Sequence, residues 1–233
     1  MLSQNQNILL ETIYKFGGYV TVPAVMAWKH ISAAGARKSI SCALNIGYLE
    51  EVEFTDIKNY PAFYRLSNSG LFYLKKHSTR NIDTIYAYSI LYKVIKSHAF
   101  FELAGEGVTD IFTLNTDKIS FLKSLGYKDK VFDKHAMNGS TFPVFRDYII
   151  KGEHGFTSLY IDRGYDNVGH VLATRLAHLK NFIKDEIAQV NLLIITDKVE
   201  RKDAFLWAYG AQNFIEMPQK FDCRLLNYCY SRV

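Results

Sequence analysis

The sequence predicts an α+β protein in two parts: a helix-rich N-terminal domain over residues 1–82 and an α/β domain over residues 83–233. Three observations carry this reading. The N-terminal part holds segments with the 3.6-residue apolar period, followed by two short period-two segments around a polar turn. The C-terminal part holds strand-like runs on either side of a helix of about five turns, the pattern of a β-α-β unit. The polar stretch HSTRNID, residues 77–83, separates the two regions.

Residues 4–16 place Ile8, Leu9, Ile13 and Tyr14 near one helical face and stop at Gly17 and Gly18. Thr21 is a natural N-cap for the second helix, VPAVMAWKH. Its first turn accepts Pro23 because the N–H missing there has no helical partner to lose. After a break at residues 30–32, the run AAGARKSISCALNIGYL turns Ala36, Ile40, Ala43 and Leu44 inward, exposes Arg37, Lys38 and Ser41, and stops at Gly47. A strand YLEEVEFT, a turn DIKNYPA, a strand FYRLSN and a helix SGLFYLKKH capped by Ser67 or Ser69 follow.

Three helices, a hairpin and a closing helix make a winged helix-turn-helix, and GYLEEV and YRLSNSGLFYL resemble the hairpin and exit of such proteins. The resemblance implies a double-stranded DNA partner, with Arg37, Lys38 and Ser41 facing the major groove and Lys58 and Arg65 on the wing. Residues 1–82 carry nine Lys/Arg and five Asp/Glu, whereas the remaining 19 and 18 nearly cancel, so the excess positive charge lies at that end. Use of the same architecture for protein contacts is the competing reading, favoured by Glu50, Glu51 and Glu53 at the start of the hairpin.

The second domain opens with the helix IDTIYAYSILYKVIKSHAFFEL and continues with a helix over residues 116–125. Strands are expected at 140–150, 155–164 and 190–197. The short polar KGEHG joins the first two as an antiparallel hairpin, and the helix NVGHVLATRLAHLKNFIKDEI crosses between the last two, which makes them parallel. A helix RKDAFLWAYGA closes the series. This is the order of a PD-(D/E)XK, or restriction-endonuclease-like, core.

Composition narrows the classes. Cys42, Cys223 and Cys229 have no metal-binding spacing and make no even framework. No basic leader followed by an apolar run and no long apolar stretch occurs, so a cytoplasmic protein with no membrane partner is expected. The seven histidines form no His-x-His pair.

Asp147 on the first strand and Asp162 on the second would lie near one sheet edge if KGEHG forms the hairpin. Two such carboxylates suit a hard divalent ion, Mg²⁺ or Mn²⁺, that activates a water against a phosphodiester. The competing reading makes Asp147 a solvated strand residue and Asp162 the cap of the next turn. Glu102, Glu106 and Glu153 are candidates to complete a site, and Tyr160 and Tyr165 flank Asp162.

The order of the first domain, a long helix ending near His98, FPVF, LYIDRGYDN, a helix bearing RLAHL, and LLIITDKVER resembles the plasmid replication-relaxation proteins and the related MOBC-type mobilisation relaxases. That resemblance spans most of the chain. It implies a metal-dependent, strand-nicking endonuclease of a mobile element, acting at a transfer or replication origin in plasmid mobilisation or replication, with other mobilisation proteins as partners. Asp147 and Asp162 would be its metal ligands, and Arg175 would supply positive charge to the phosphate. Two departures stand out: Tyr160 occupies the place of a glutamate in Glu-x-Asp-Arg-Gly, and Gly164 that of a lysine. They favour the alternative, a non-catalytic DNA-binding regulator whose degenerate nuclease-like domain serves dimerisation or partner binding.

Overall fold

Ser3 and Gln6 exchange hydrogen bonds in a capping box that starts α1 (Gln4–Lys15), and the chain leaves that helix through Gly17 and Gly18, both at positive φ. The computed structural model describes residues 2–52, 62–75, 87–128, 132–134, 141–143, 147–211 and 217–227. They form a mixed α+β protein that divides into two compact units. No helix among the described residues is long and apolar enough to cross a membrane.

In the first unit β1 (Tyr19–Thr21) leads directly into α2 (Val22–Lys29), where the Thr21 hydroxyl accepts from the Ala24 N–H and a proline stands in the first turn. His30, in the left-handed region at φ 52°, ends α2. The Ser32 hydroxyl then caps α3 (Ala33–Asn45), which buries Ala36, Ile40 and Ala43. The strands β2 (Leu49–Val52) and β3 (Phe63–Leu66) pair antiparallel, and β1 adds to the other side of β3. Ser67 caps α4 (Asn68–Tyr73) and also donates to the Gly47 carbonyl, which fixes the exit of the hairpin against the end of α3.

The long helix α5 (Ala87–Gly105) belongs to this unit, which runs to Gly107 and takes back Leu226 and Asn227. The sequence predicts a boundary at 82/83 and gives this helix to the second domain. Residues 77–83 lie outside the described residues, and the division between the units falls after Gly107. The cause is packing. Phe100 and Phe101 meet Phe16, Phe101 also meets Trp28 of α2, and the Ser97 hydroxyl donates to the Tyr19 carbonyl of β1.

The second unit contains β4 (Ile111–Phe112), α6 (Asn115–Ser124), β5 (Phe132–Lys134), β6 (Thr141–Pro143), β7 (Tyr148–Lys151), β8 (Gly155–Ile161), α7 (Val168–Lys184), β9 (Gln189–Thr196), α8 (Val199–Gly210) and β10 (Lys220–Leu225). Its main sheet has the order β10-β9-β8-β7-β4. The β7–β8 pair is antiparallel and β8–β9 parallel, as the hairpin and crossover patterns predict. The expected single strand at 140–150 is two, β6 and β7. α7 lays Val171, Leu172, Leu176, Leu179 and Phe182 on a core that includes Phe156, Tyr160, Val190, Leu192 and Ile194. Period-two alternation along β8 therefore puts Ser158 and Tyr160, and Asp162 just beyond them, on the α7 side of the sheet.

Helix α5 can approach α2 only because Gly105 lacks a side chain: a Cβ there would stand 2.5 Å from the Ala27 carbonyl oxygen and 3.1 Å from Trp28 Cα. Both are backbone atoms of α2. Gly105→Ala is therefore expected to cost about 1–3 kcal/mol in chemical denaturation. Gly210→Ala at the end of α8, where an added Cβ meets nothing within 4 Å, is expected to be neutral or to stabilise by about 0.4–1 kcal/mol.

Candidate functional site

Two regions hold the residues singled out from the sequence. On α3, Arg37, Lys38 and Ser41 are exposed, opposite or beside the face that packs inward. Arg65 on β3 stands directly across from Glu50 on β2, and its Nε donates to Glu50 Oε1 at 2.5 Å. The hairpin thus balances this cation internally, so Arg65 does not present a free charge. Lys58 lies outside the described residues. Tyr64, cross-strand from Glu51, is half-buried. Its phenol pKa is raised by burial and by the Glu51 charge, against the opposing pull of the Arg37 guanidinium. Arg37 therefore faces the hairpin.

The second region is the end of the sheet where β7 begins and β8 finishes. Asp147 immediately precedes β7 and Asp162 immediately follows β8; they are 5% and 1% exposed. The antiparallel register, with Tyr148 opposite Leu159, brings both to the same end. Neither is a solvated residue or a turn cap.

Each carboxylate has its own arginine. Arg175, from the third turn of α7, pairs with Asp147 Oδ1 and lays its guanidinium over the Tyr160 ring, 4.5 Å from the centroid. The Ser158 hydroxyl donates to Asp147 Oδ2 at 3.3 Å, and Lys118 of α6, itself buried, donates to the Asp147 carbonyl at 3.0 Å. Arg201, in the first turn of α8, grips Asp162 with both prongs of its fork, at 2.5 Å and 2.8 Å, and donates to the Asp166 carbonyl at 3.0 Å. The Thr196 hydroxyl at the end of β9 completes the set, at 3.1 Å from Asp162 Oδ2.

Burial pushes the Asp147 carboxyl up to about 6, against the pull of Arg175, Ser158 and Lys118. The Lys118 ammonium is shifted down by burial, with the Asp147 charge opposing. Hydrogen bonding to Asp162 raises Arg201.

These residues do not fit a divalent metal. A hard cation needs about six oxygen ligands, and the oxygens of both aspartates are already committed to guanidinium or hydroxyl donors. Among the described residues no group of three or more His, Cys, Asp or Glu side chains is placed to hold a metal. The other candidates stand apart from the pair. Glu102 belongs to the first unit, where it accepts from the Asn227 N–H and lies 3.1 Å from His98 Nε2; Glu106 is in that unit too. Glu153 is exposed beside His154 in the turn between β7 and β8. Tyr160 is a core residue under Arg175, and Tyr165 is exposed.

Sequence reasoning passed over Lys118, Thr196 and Arg201. Thr196 and Arg201 stand within LLIITDKVER, so a signal for them was present. Lys118 has none. The chain matches no family model, no curated protein and no solved structure.

The Asp147 carboxyl gives the second unit a pH signature. Its folded pKa of about 6 exceeds the ordinary 3.8, so between those values the native state holds a proton that the unfolded chain does not. Its contribution to stability is largest below about pH 4 and is lost as pH rises through 6. Denaturation measured from pH 4 to 7 should show this slope, and Asp147→Asn should flatten it. Arg175→Met, which removes a group holding the carboxyl down, should move the midpoint above 6.

Proposed function

We propose that this chain is a DNA-binding protein of a mobile element, of the replication-relaxation or MOBC type that its sequence resembles, acting through the first unit without cutting DNA. In this reading the first unit is a winged helix-turn-helix: α3 is the recognition helix and β2 and β3 form the base of the wing. The observation that carries it is the exposed face of α3, with Arg37, Lys38 and Ser41 on a helix anchored by Ala36, Ile40 and Ala43 and bordered by a three-stranded sheet. A cationic helix face of this kind suits the major groove of double-stranded DNA, and a replication or transfer origin is the target the resemblance implies.

The second unit is read as a restriction-endonuclease-like domain whose carboxylates have been turned from metal ligation to ion pairing. Asp147 with Arg175 and Asp162 with Arg201 support this, together with Tyr160 and Gly164 at positions where the resemblance calls for a glutamate and a lysine. Such a domain serves dimerisation or partner binding.

Incubation with a supercoiled plasmid carrying the neighbouring intergenic DNA, in Mn²⁺ or in EDTA, tests both parts. The expected product is a retarded, intact plasmid under either condition. Metal-dependent open circle, lost in Asp162→Ala, would instead establish a nicking enzyme. In the same DNA, Arg37→Ala with Lys38→Ala should weaken binding and flatten its salt dependence, because fewer counterions are released.

A further inference from the structure

The exposed residues of α3 do not all point the same way. Successive side chains turn by about 100° around a helix, and the buried Ala36, Ile40 and Ala43 define the inward direction. Ala34, Lys38 and Asn45 then lie within about 30° of the direction straight out, and Ser41 within about 50°. All four are exposed. Arg37 lies about 90° away from that line, on the flank of the helix. The flank is the one facing the hairpin, since the Arg37 charge acts on the Tyr64 hydroxyl of β3, whose cross-strand neighbour is Glu51.

A helix seated in the major groove sends its outermost line of side chains to base edges, and its flanks to the sugar-phosphate walls. Alanine at position 34 allows close approach and offers a methyl to a thymine methyl. A lysine ammonium one turn further on matches the paired acceptors O6 and N7 of guanine. On the flank, a guanidinium with a phenol hydroxyl beside it matches a phosphate, which takes several hydrogen bonds from planar donors. The Glu51 carboxylate on the same side disfavours any phosphate that Arg37 does not hold.

We propose that Lys38, with Ala34 and Ser41 along the same line, is the specificity-determining residue of the DNA site and reads a guanine, while Arg37 and Tyr64 grip the backbone on the hairpin side. This division of labour rests on the DNA-binding reading above. It assigns different work to two adjacent cations that composition treats as equivalent.

The test is selection from a randomised duplex pool with the full chain. The selected duplex and its single-base-pair variants are then titrated at several salt concentrations, using the unaltered protein, Lys38→Ala, Arg37→Ala and Tyr64→Phe. Both cations are exposed and alanine is the best helix former, so the alanine variants keep the fold. The unaltered protein is expected to select guanine at one position, and Lys38→Ala to lose about 10- to 100-fold discrimination there. Arg37→Ala should keep the guanine preference, weaken all duplexes by a common factor and lower the salt slope by about one. Tyr64→Phe should weaken all duplexes to a smaller extent.

Retention of the preference in Lys38→Ala, its loss in Arg37→Ala, or binding without any sequence preference would each overturn the assignment. Failure of the unaltered protein to bind any duplex would overturn the DNA-binding reading itself, and is seen before any variant is made.

Discussion

Asp162 leaves the end of β8 with almost no exposure to water, and an ionised carboxylate can stay there only if its charge and lone pairs are answered locally. Arg201 and Thr196 answer them from α8 and β9, so one side chain ties together the ends of two parallel strands and the start of a helix. Arg201 also reaches the Asp166 carbonyl, which holds the loop leading into α7. That loop turns at Gly164, φ +78°, where a side chain would be strained and would press on Lys198 at 3.3 Å. A few strands away Asp147 and Arg175 repeat the arrangement. Removal of one partner from such a pair costs about 3–5 kcal/mol, because a charge is left buried alone, so the two pairs constrain each other's surroundings tightly.

The first unit depends on hydrophobic contact instead. Helix α3 displays polar residues outward because its inner line is small and apolar, and α2 beside it is backed by α5 through rings at Phe100 and Phe101. His30, which ends α2, has its Nε2 3.0 Å from the Gly105 carbonyl at the far end of α5. The turn between α2 and α3 is therefore fastened from behind, and the exposed face of α3 stands on a firm base.

Much of the local structure was legible in the sequence. Thr21 with Pro23, Ser32 and Ser67 announce helix starts, and the structure gives each of these hydroxyls its cap bond. KGEHG announces an antiparallel pair and the crossover helix a parallel one, because chain geometry leaves few alternatives. Strands β1 and β4 are three and two residues long, too short to show a period. β10 does alternate, with Phe221, Cys223 and Leu225 between charged residues, but its charged residues weaken the apolar signal. The apolar face of α5 shows that it is packed without showing against what, which is why the sequence assigns it to the wrong side of the boundary. For the candidate site, spacing brought the two aspartates to one end of the sheet. It could not supply their partners, since Arg201 stands 39 positions from Asp162 and ion pairing at that separation has no periodic trace.

The first unit is discontinuous in sequence: its helices precede Gly107, and Leu226 and the Asn227 N–H that Glu102 accepts come only after the whole of the second unit. During synthesis the ribosome must add about 120 further residues after α5 before this bond can form, a delay of roughly 6 to 24 s at ordinary elongation rates. Through that interval the Glu102 carboxylate, 11% exposed in the finished protein, waits without its backbone donor. The unit that emerges first is thus the unit that is finished last, and a chain broken off within the second sheet would carry an α5 whose acidic anchor is never filled.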